Sequence, residues 1–157
     1  MWTAYPFADN NSERVLRATK LSFVDSVWEI LGAFLQRVPL VHIQQPRRHQ
    51  DGISADQGIA KSVVLDDRAR YLEVMRTERI TRFTAVPSVL AMLLLQTRET
   101  DRQEKLTGLR YILSSGEALS LRVVQELTTA LPDVTILNLY GSTEMSGDVT
   151  CMELNAP

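Results

Sequence analysis

Cysteine is nearly absent: Cys151 is the one thiol, which excludes an internal disulfide and any zinc-ligand spacing. No excess of one charge exists either. Seventeen Lys and Arg face nineteen Asp and Glu, for a net charge of −2, so there is no electrostatic footprint for nucleic acid or an anionic membrane. Long hydrophobic runs are missing. The longest, residues 89–95, is far shorter than a bilayer-spanning helix requires. The opening Met1-Trp-Thr-Ala-Tyr-Pro-Phe7 is polar and aromatic and carries no signal-peptide pattern, so the expected location is the cytoplasm. There are no repeats, no low-complexity tracts and no Gly-x-Gly-x-x-Gly after any apolar run, which counts against a dinucleotide-type fold. What remains is an ordinary globular composition, 45% hydrophobic and 23% charged, in a chain long enough for one domain with a core.

Apolar runs that read as strands alternate with helical periodicity. Residues 14–19 read as a short strand that 21–24 extend. From Asp25 the pattern turns helical, with Val27, Trp28, Leu31, Phe34 and Leu35 on one face, Asp25 or Ser26 as N-cap and Glu29 completing a capping box. That helix ends near Gln36 and Arg37. Residues 38–43 read as a short buried strand holding a packed His42, and 44–58 as a polar loop. Residues 63–65 read as a strand or a helix lead, and Asp66 and Asp67 as caps of a helix through about Arg79 with Ala69, Leu72, Val74 and Met75 as its apolar positions. Residues 82–86 read as a strand, Pro87 as the first turn of a buried apolar helix to Gln96, and 97–105 as a charged linker. A strand over 109–113 leads to a turn at 114–117. A helix capped by Ser120 then runs to Leu131 with Val123, Val124, Leu127 and Ala130 inward. Pro132 and Asp133 turn the chain into a strand over 134–137. The expected class is α/β with a mostly parallel sheet and flanking helices.

Two of these strands end in chemistry-bearing residues: Ser114-Ser115-Gly116-Glu117-Ala118, and Asn138-Leu139-Tyr140-Gly141-Ser142-Thr143-Glu144 running on to Asp148. One helix joins them, so the strands are expected side by side and parallel, with both turns at the carboxyl edge where open α/β sheets bind ligands. Gly116 leaves room for a ring or backbone, Tyr140 can stack on a base and Gly141 lets backbone approach a phosphate. Thr143 can donate to a phosphate oxygen, and Glu144 can hold Mg²⁺. From these residues alone, a polar turn with Tyr140 as a half-buried wedge fits as well as a nucleotide or acid site.

Asn138-Leu-Tyr-Gly-Ser-Thr-Glu144 resembles the Asn-x-Tyr-Gly-x-Thr-Glu motif of the adenylate-forming, AMP-binding enzymes, a superfamily of acyl-CoA synthetases, luciferases and adenylation domains of nonribosomal peptide synthetases. Leu113-Ser-Ser-Gly-Glu-Ala-Leu119 resembles the Gly-Glu turn that precedes it, Leu21-Ser-Phe-Val-Asp-Ser-Val-Trp-Glu-Ile30 an earlier family segment, and Thr84-Ala-Val-Pro-Ser88 a strand–Pro–helix step. Four motifs in family order cover most of the chain. The resemblance implies ATP-dependent activation of a small-molecule carboxylic acid to an acyl-adenylate. A thiol then captures the acyl group, either the phosphopantetheine of a carrier domain or CoA. ATP and Mg²⁺ are the implied cofactors. Gly116, Glu117 and Ala118 would border the adenine, Asn138 its amino group, and Tyr140 would stack on it beside Gly141. Thr143 would contact the α-phosphate, Glu144 would hold Mg²⁺, and Thr143 and Glu144 are the implied catalytic pair.

The implied acid pocket is Phe23, Val24, Asp25, Trp28, Thr84, Leu113, Ser115, Leu139, Gly147 and Asp148, with Phe23 near the substrate carboxylate. Family members that activate α-amino acids carry Asp after the Phe. Here Val24 stands there, and the carboxylate comes one residue later at Asp25. Two carboxylates in an otherwise apolar lining suit an ammonium, and the displaced one resembles pockets of β-alanine-activating enzymes and their aminoadipate-semialdehyde-dehydrogenase-like relatives. Asp25 as a simple helix cap and Asp148 as a solvated turn residue are the alternatives. The family's Ser/Thr/Gly-rich phosphate loop, its downstream Tyr-x-Thr-Gly-Asp segment and its small C-terminal subdomain have no counterpart in residues 1–157. The expectation is therefore a fragment of one AMP-binding domain, inactive alone, with exposed apolar edges. The alternative is a non-catalytic nucleotide- or amino-acid-binding remnant.

Overall fold

The computed structural model describes residues 5–7, 12–43, 68–94, 106, 108–145 and 147–154. The readings at 44–58, 63–67 and 97–105, and Gln96 at the end of its helix, lie outside them. The described strands are β1 (Val15–Arg17), β2 (Leu40–His42), β3 (Arg82–Ala85), β4 (Tyr111–Ser114), β5 (Thr135–Ser142) and β6 (Gly147–Leu154). They form one sheet in the order β2-β1-β3-β4-β5-β6. Every neighbouring pair is parallel except β5 and β6. The described helices are α1 (Asp25–Leu35), α2 (68–77), α3 (Pro87–Leu94) and α4 (Leu121–Ala130). The class is thus α/β with a mostly parallel sheet, as expected.

Strand alternation sends side chains to two different faces. Leu16, Phe83, Ile112 and Ile136 join Leu72 and Met75 of α2, Leu90, Leu93 and Leu94 of α3, and Leu127 and Ala130 of α4 in the main core. Each such buried Leu, Ile, Phe or Met side chain contributes roughly 1.5–3 kcal/mol of transfer free energy. Val15, Leu113, Leu137 and Leu139 belong to two smaller clusters, in which Val15 meets Phe7 and Ala33 of α1, and the leucines meet Tyr5 and Tyr111. Between these clusters lies Arg82, 1% exposed. Its guanidinium sits 4.2 Å from both the Phe7 and Tyr111 ring centroids and donates to the Tyr5 carbonyl at 3.1 Å. Cation–π stacking and charge-assisted hydrogen bonds thereby fasten residues 5–7 onto the sheet.

Local signals were sound where the chemistry is local. Pro87 opens α3, and the Ser120 hydroxyl accepts from Val123 N at the start of α4. Elsewhere tertiary contacts override them. Residues 21–24 form a turn rather than an extension of β1. The N-cap of α1 is Val24, with no side-chain cap bond, so the capping box does not form. Ser26 Oγ donates back to the Phe23 carbonyl at 2.8 Å, and Glu29 accepts from Thr19 Oγ1 at 2.8 Å and Thr19 N at 3.3 Å. The helix buries Ser26, Glu29, Gly32 and Ala33, and turns Val27, Leu31, Phe34 and Leu35 outward. β2 is a half-exposed edge strand, and its His42 is exposed, with Nδ1 2.9 Å from Arg17 Nη1. Ala69 points to solvent. The strand read over 134–137 continues to Ser142, because β6, absent from the sequence reading, supplies a ladder along it.

Burial raises the Glu29 carboxyl to about 7 despite its bonds to Thr19. Between the ordinary value of 4.5 and about 7, the folded chain holds this proton more tightly than the unfolded chain. Stability is therefore fully present below 4.5 and is lost as pH rises through 7. Glu29→Gln is expected to flatten that part of the pH dependence of the urea midpoint, and an unchanged slope would contradict the assignment.

Candidate active site

β4 and β5 run parallel with Ser114 opposite Asn138, so their carboxyl ends open on the same edge. After β4 the chain turns sharply at Gly116, whose φ of +82° favours glycine. A Cβ there would lie 3.4 Å from Val86 Cγ1. Glu117 does not point into open space. Its carboxylate accepts from Ser88 N and Ser88 Oγ, both at 3.0 Å, and so caps the first turn of α3. That bond ties the turn after β4 to the turn after β3. Gly116, Glu117 and Ala118 are all exposed along this rim.

Asn138, Tyr140 and Gly141 lie within β5, not in a turn after it. Tyr140 is 66% exposed, which removes the half-buried wedge reading. Gly141 has a structural reason to be glycine. A Cβ would collide with the Gly147 carbonyl oxygen and with Asp148 Cα on β6, where the β5–β6 register shifts. Thr143 opens the 3₁₀ turn Thr143–Met145 that reverses the chain. Glu144 in that turn is exposed. A backbone hydrogen bond at its own residue, and then the Ser142 hydroxyl, hold its carboxyl below the usual range, so it stays ionised.

β6 then returns Gly147 and Asp148 toward the turn after β4 and the start of α1. Ser115 Oγ donates to Asp148 Oδ1 at 3.3 Å. Ser115 also lies near enough to Asp25, the first residue of α1, to lower its carboxyl. Burial raises the Asp25 carboxyl above its ordinary value, against that effect. Asp148 is raised by burial first and then by the negative charge of Asp25. Trp28, one turn along α1, packs its indole edge on Gly147, whose φ is +118° and whose Cβ would stand 3.0 Å from Trp28 Nε1. Trp28 Nε1 and Asp148 Oδ2 are buried and have no hydrogen-bond partner among the described residues.

The structure thus brings together Asp25, Trp28, Ser115, Gly147 and Asp148. Thr84 is half-buried in register with Leu113. Leu113 and Leu139 lie closed off in the Tyr5–Tyr111 cluster. Val24 is half-buried at the head of α1, and Phe23 is exposed beside it. Sequence reasoning missed the Glu117–Ser88 cap and the Trp28–Gly147 contact. For the contact, the available signal was a glycine next to a charged residue in a β-branched stretch.

The profile of the AMP-binding enzyme family matches residues 1–157. The chain belongs to the AMP-binding enzyme family. Among similar proteins, it is 33% identical over 130 residues to the chloroplastic/peroxisomal 2-succinylbenzoate–CoA ligase of Arabidopsis thaliana, a match that covers 79% of this chain and 22% of that ligase. It is 26% identical over 154 residues to the β-alanyl-bioamine nonribosomal peptide synthetase ebony of Drosophila melanogaster, covering 95% of this chain and 16% of ebony. Among solved structures, it superposes on the nonribosomal peptide synthetase FmoA3 with a TM-score of 0.74 at 19% identity, covering 99% of this chain and 14% of that one. It also superposes on O-succinylbenzoate coenzyme A synthetase from Bacillus subtilis in complex with ATP and magnesium, with a TM-score of 0.66 at 19% identity, covering 97% and 26%. This AMP-binding chain therefore spans about a quarter or less of these relatives. No helix among its described residues is long and apolar enough to cross a membrane.

Gly147→Ala is expected to cost about 1–3 kcal/mol, because it combines an unfavourable φ with a contact on Trp28. The loss will appear in thermal unfolding together with a change in indole fluorescence. Asp25→Asn removes a buried like charge beside Asp148. It is expected to raise the melting temperature at pH 7 by about 2–4 °C, the shift that ~1 kcal/mol produces at this chain length. A lowered melting temperature would contradict the repulsion.

Proposed function

We propose that this AMP-binding chain forms the adenine- and acid-facing part of an ATP-dependent ligase core, and that its acid carries an ammonium group. The observation that supports this reading is the pair of neighbouring half-buried carboxylates, Asp25 and Asp148, with Ser115 donating to Asp148. A cation between them would relieve both their repulsion and their desolvation, which no neutral ligand can do. Leu113 and Leu139 are already covered within the chain, in keeping with a short acid. β-Alanine is the acid proposed. It separates ammonium from carboxylate by one carbon more than an α-amino acid, in keeping with the carboxylate standing at Asp25 rather than at Val24.

In this reading Gly116, Glu117 and Ala118 border the adenine, Asn138 meets its amino group and the exposed Tyr140 ring stacks on it beside Gly141. Phe23 lies near the acid's carboxylate, and Thr143 contacts the α-phosphate. Glu144 fits Mg²⁺. It is exposed and ionised, a hard oxygen ligand of the kind Mg²⁺ takes one or two of beside water and substrate phosphates. When bound, Mg²⁺ supplies charge screening of the phosphates. The chain's own residues orient the acid: Asp25 and Asp148 hold its ammonium, Ser115 fixes Asp148, and Trp28 walls off water. The acceptor is proposed to be a thiol, of a carrier's phosphopantetheine or of CoA. Residues 1–157 are proposed as part of one AMP-binding domain that makes no adenylate on its own.

Titration calorimetry of the full chain with β-alanine and with propionate tests the ammonium reading. β-Alanine is expected to bind about 10- to 100-fold more tightly, the effect of a charge-assisted contact. Its affinity should rise as pH rises through the raised carboxylate range, since only ionised Asp25 and Asp148 attract the ammonium. Equal affinity for propionate would sink the proposal.

A further inference from the structure

Ser114, the last residue of β4, is 0% exposed, and its Oγ has no hydrogen-bond partner among the described residues. A buried hydroxyl left unpaired costs free energy, and folded chains keep few of them. Its place in the sheet limits what it can reach. On one side its register partner is Ala85 of β3, which has no polar side chain, and on the other it is Asn138 of β5. Ile112 and Ile136, two residues earlier on the same strands, both face the main core. Strand alternation therefore puts Ser114 and Asn138 side by side on that face. Tyr140, two residues further along β5, follows on the same face with its ring exposed, while Leu113 and Leu139 belong to the other.

We propose that Ser114 is a positioning residue for the base: when a purine covers Asn138, the Ser114 hydroxyl pairs with the inner end of the Asn138 amide and holds its outer end against the 6-amino group. Without a ligand the half-buried Asn138 keeps contact with water. A base laid over it removes that water, and an amide stripped of water needs a new partner at each end. The base supplies one. The nearest polar side chain in register is Ser114, whose own hydroxyl is already buried and unpaired. One hydrogen bond then satisfies two groups that would each be costly to leave unmade. The bond forms on binding, so its stabilisation goes to the complex and not to the empty chain. This inference rests on the proposed contact of Asn138 with the adenine amino group, and it is independent of the ammonium reading.

The test compares two nucleotides in the full chain: AMP, and purine riboside 5′-monophosphate, which lacks the 6-amino group and so offers Asn138 nothing to hold. The wild-type chain is expected to bind AMP about tenfold more tightly. Ser114→Ala is expected to bring AMP down to the level of the purine riboside nucleotide, whose own affinity stays unchanged. The melting temperature of the empty chain is expected to hold in that variant, because no hydrogen bond is lost there. Ser114→Cys, similar in size but a poor hydrogen-bonding group, gives the same comparison without leaving space in the core and is expected to lose the AMP preference too. A preference for AMP that survives both substitutions would overturn this inference alone. So would an equal weakening of both nucleotides, which would mark a merely structural residue. A wild-type chain with no preference for AMP would overturn the Asn138 contact itself, and this inference with it.

Discussion

The candidate site depends on one reversal of the chain. β5 leaves the parallel sheet at its carboxyl edge, turns through Thr143–Met145, and returns as β6, antiparallel to itself. The return is tight enough that Gly141 cannot carry a side chain, and the conformation at Gly147 favours glycine. These two glycines set Asp148 against Ser115 and set the backbone of β6 against Trp28. Without that reversal, Asp148 would lie far along the chain from Asp25, and neither carboxylate would feel the other. Two residues without side chains thus place the charges on which the functional reading rests.

How much of this the sequence disclosed follows from where each determinant lies. Pro87 and Ser120 act on their own helices, so α3 and α4 were legible. β1, β3 and β4 were legible as short strands, and the parallel pairing of β4 with β5 followed from the helix between them. The end of β5 was not. Asn138 and Gly141 are turn-forming residues, and only pairing with β6 keeps them extended. β6 is an edge strand with both faces largely exposed, so no alternation marks it. The face of α1 was legible as a stripe, but its direction was not. Periodicity states which residues share a face, and only the rest of the structure states what that face meets.

The motifs themselves fared in two ways. Asp25, Trp28, Ser115, Gly147 and Asp148 come from three separate stretches and converge in space. Glu117 and Gly141, read first for nucleotide contact, also have structural reasons to be what they are. Glu117 caps α3, and Gly141 admits β6. A rim residue can serve both ends. By holding Ser88, Glu117 couples the turns after β3 and β4 into one rigid border on which a ring could rest. At the head of α1, Glu29 plays a similar part by holding Thr19 before the turn that leads into Phe23 and Asp25. The rim is therefore stiffened at two points by buried or capping carboxylates that need not touch any ligand.

The central claim is that Asp25 and Asp148 form one electrostatic unit made for a cation. Carboxyl-carbon NMR titration of the wild-type chain, with and without saturating β-alanine, tests it most directly. The account predicts that both carboxyls titrate above the ordinary aspartate range in the unliganded chain, and that both midpoints fall when β-alanine is bound. Two independent titrations at ordinary values, unmoved by β-alanine, would contradict it.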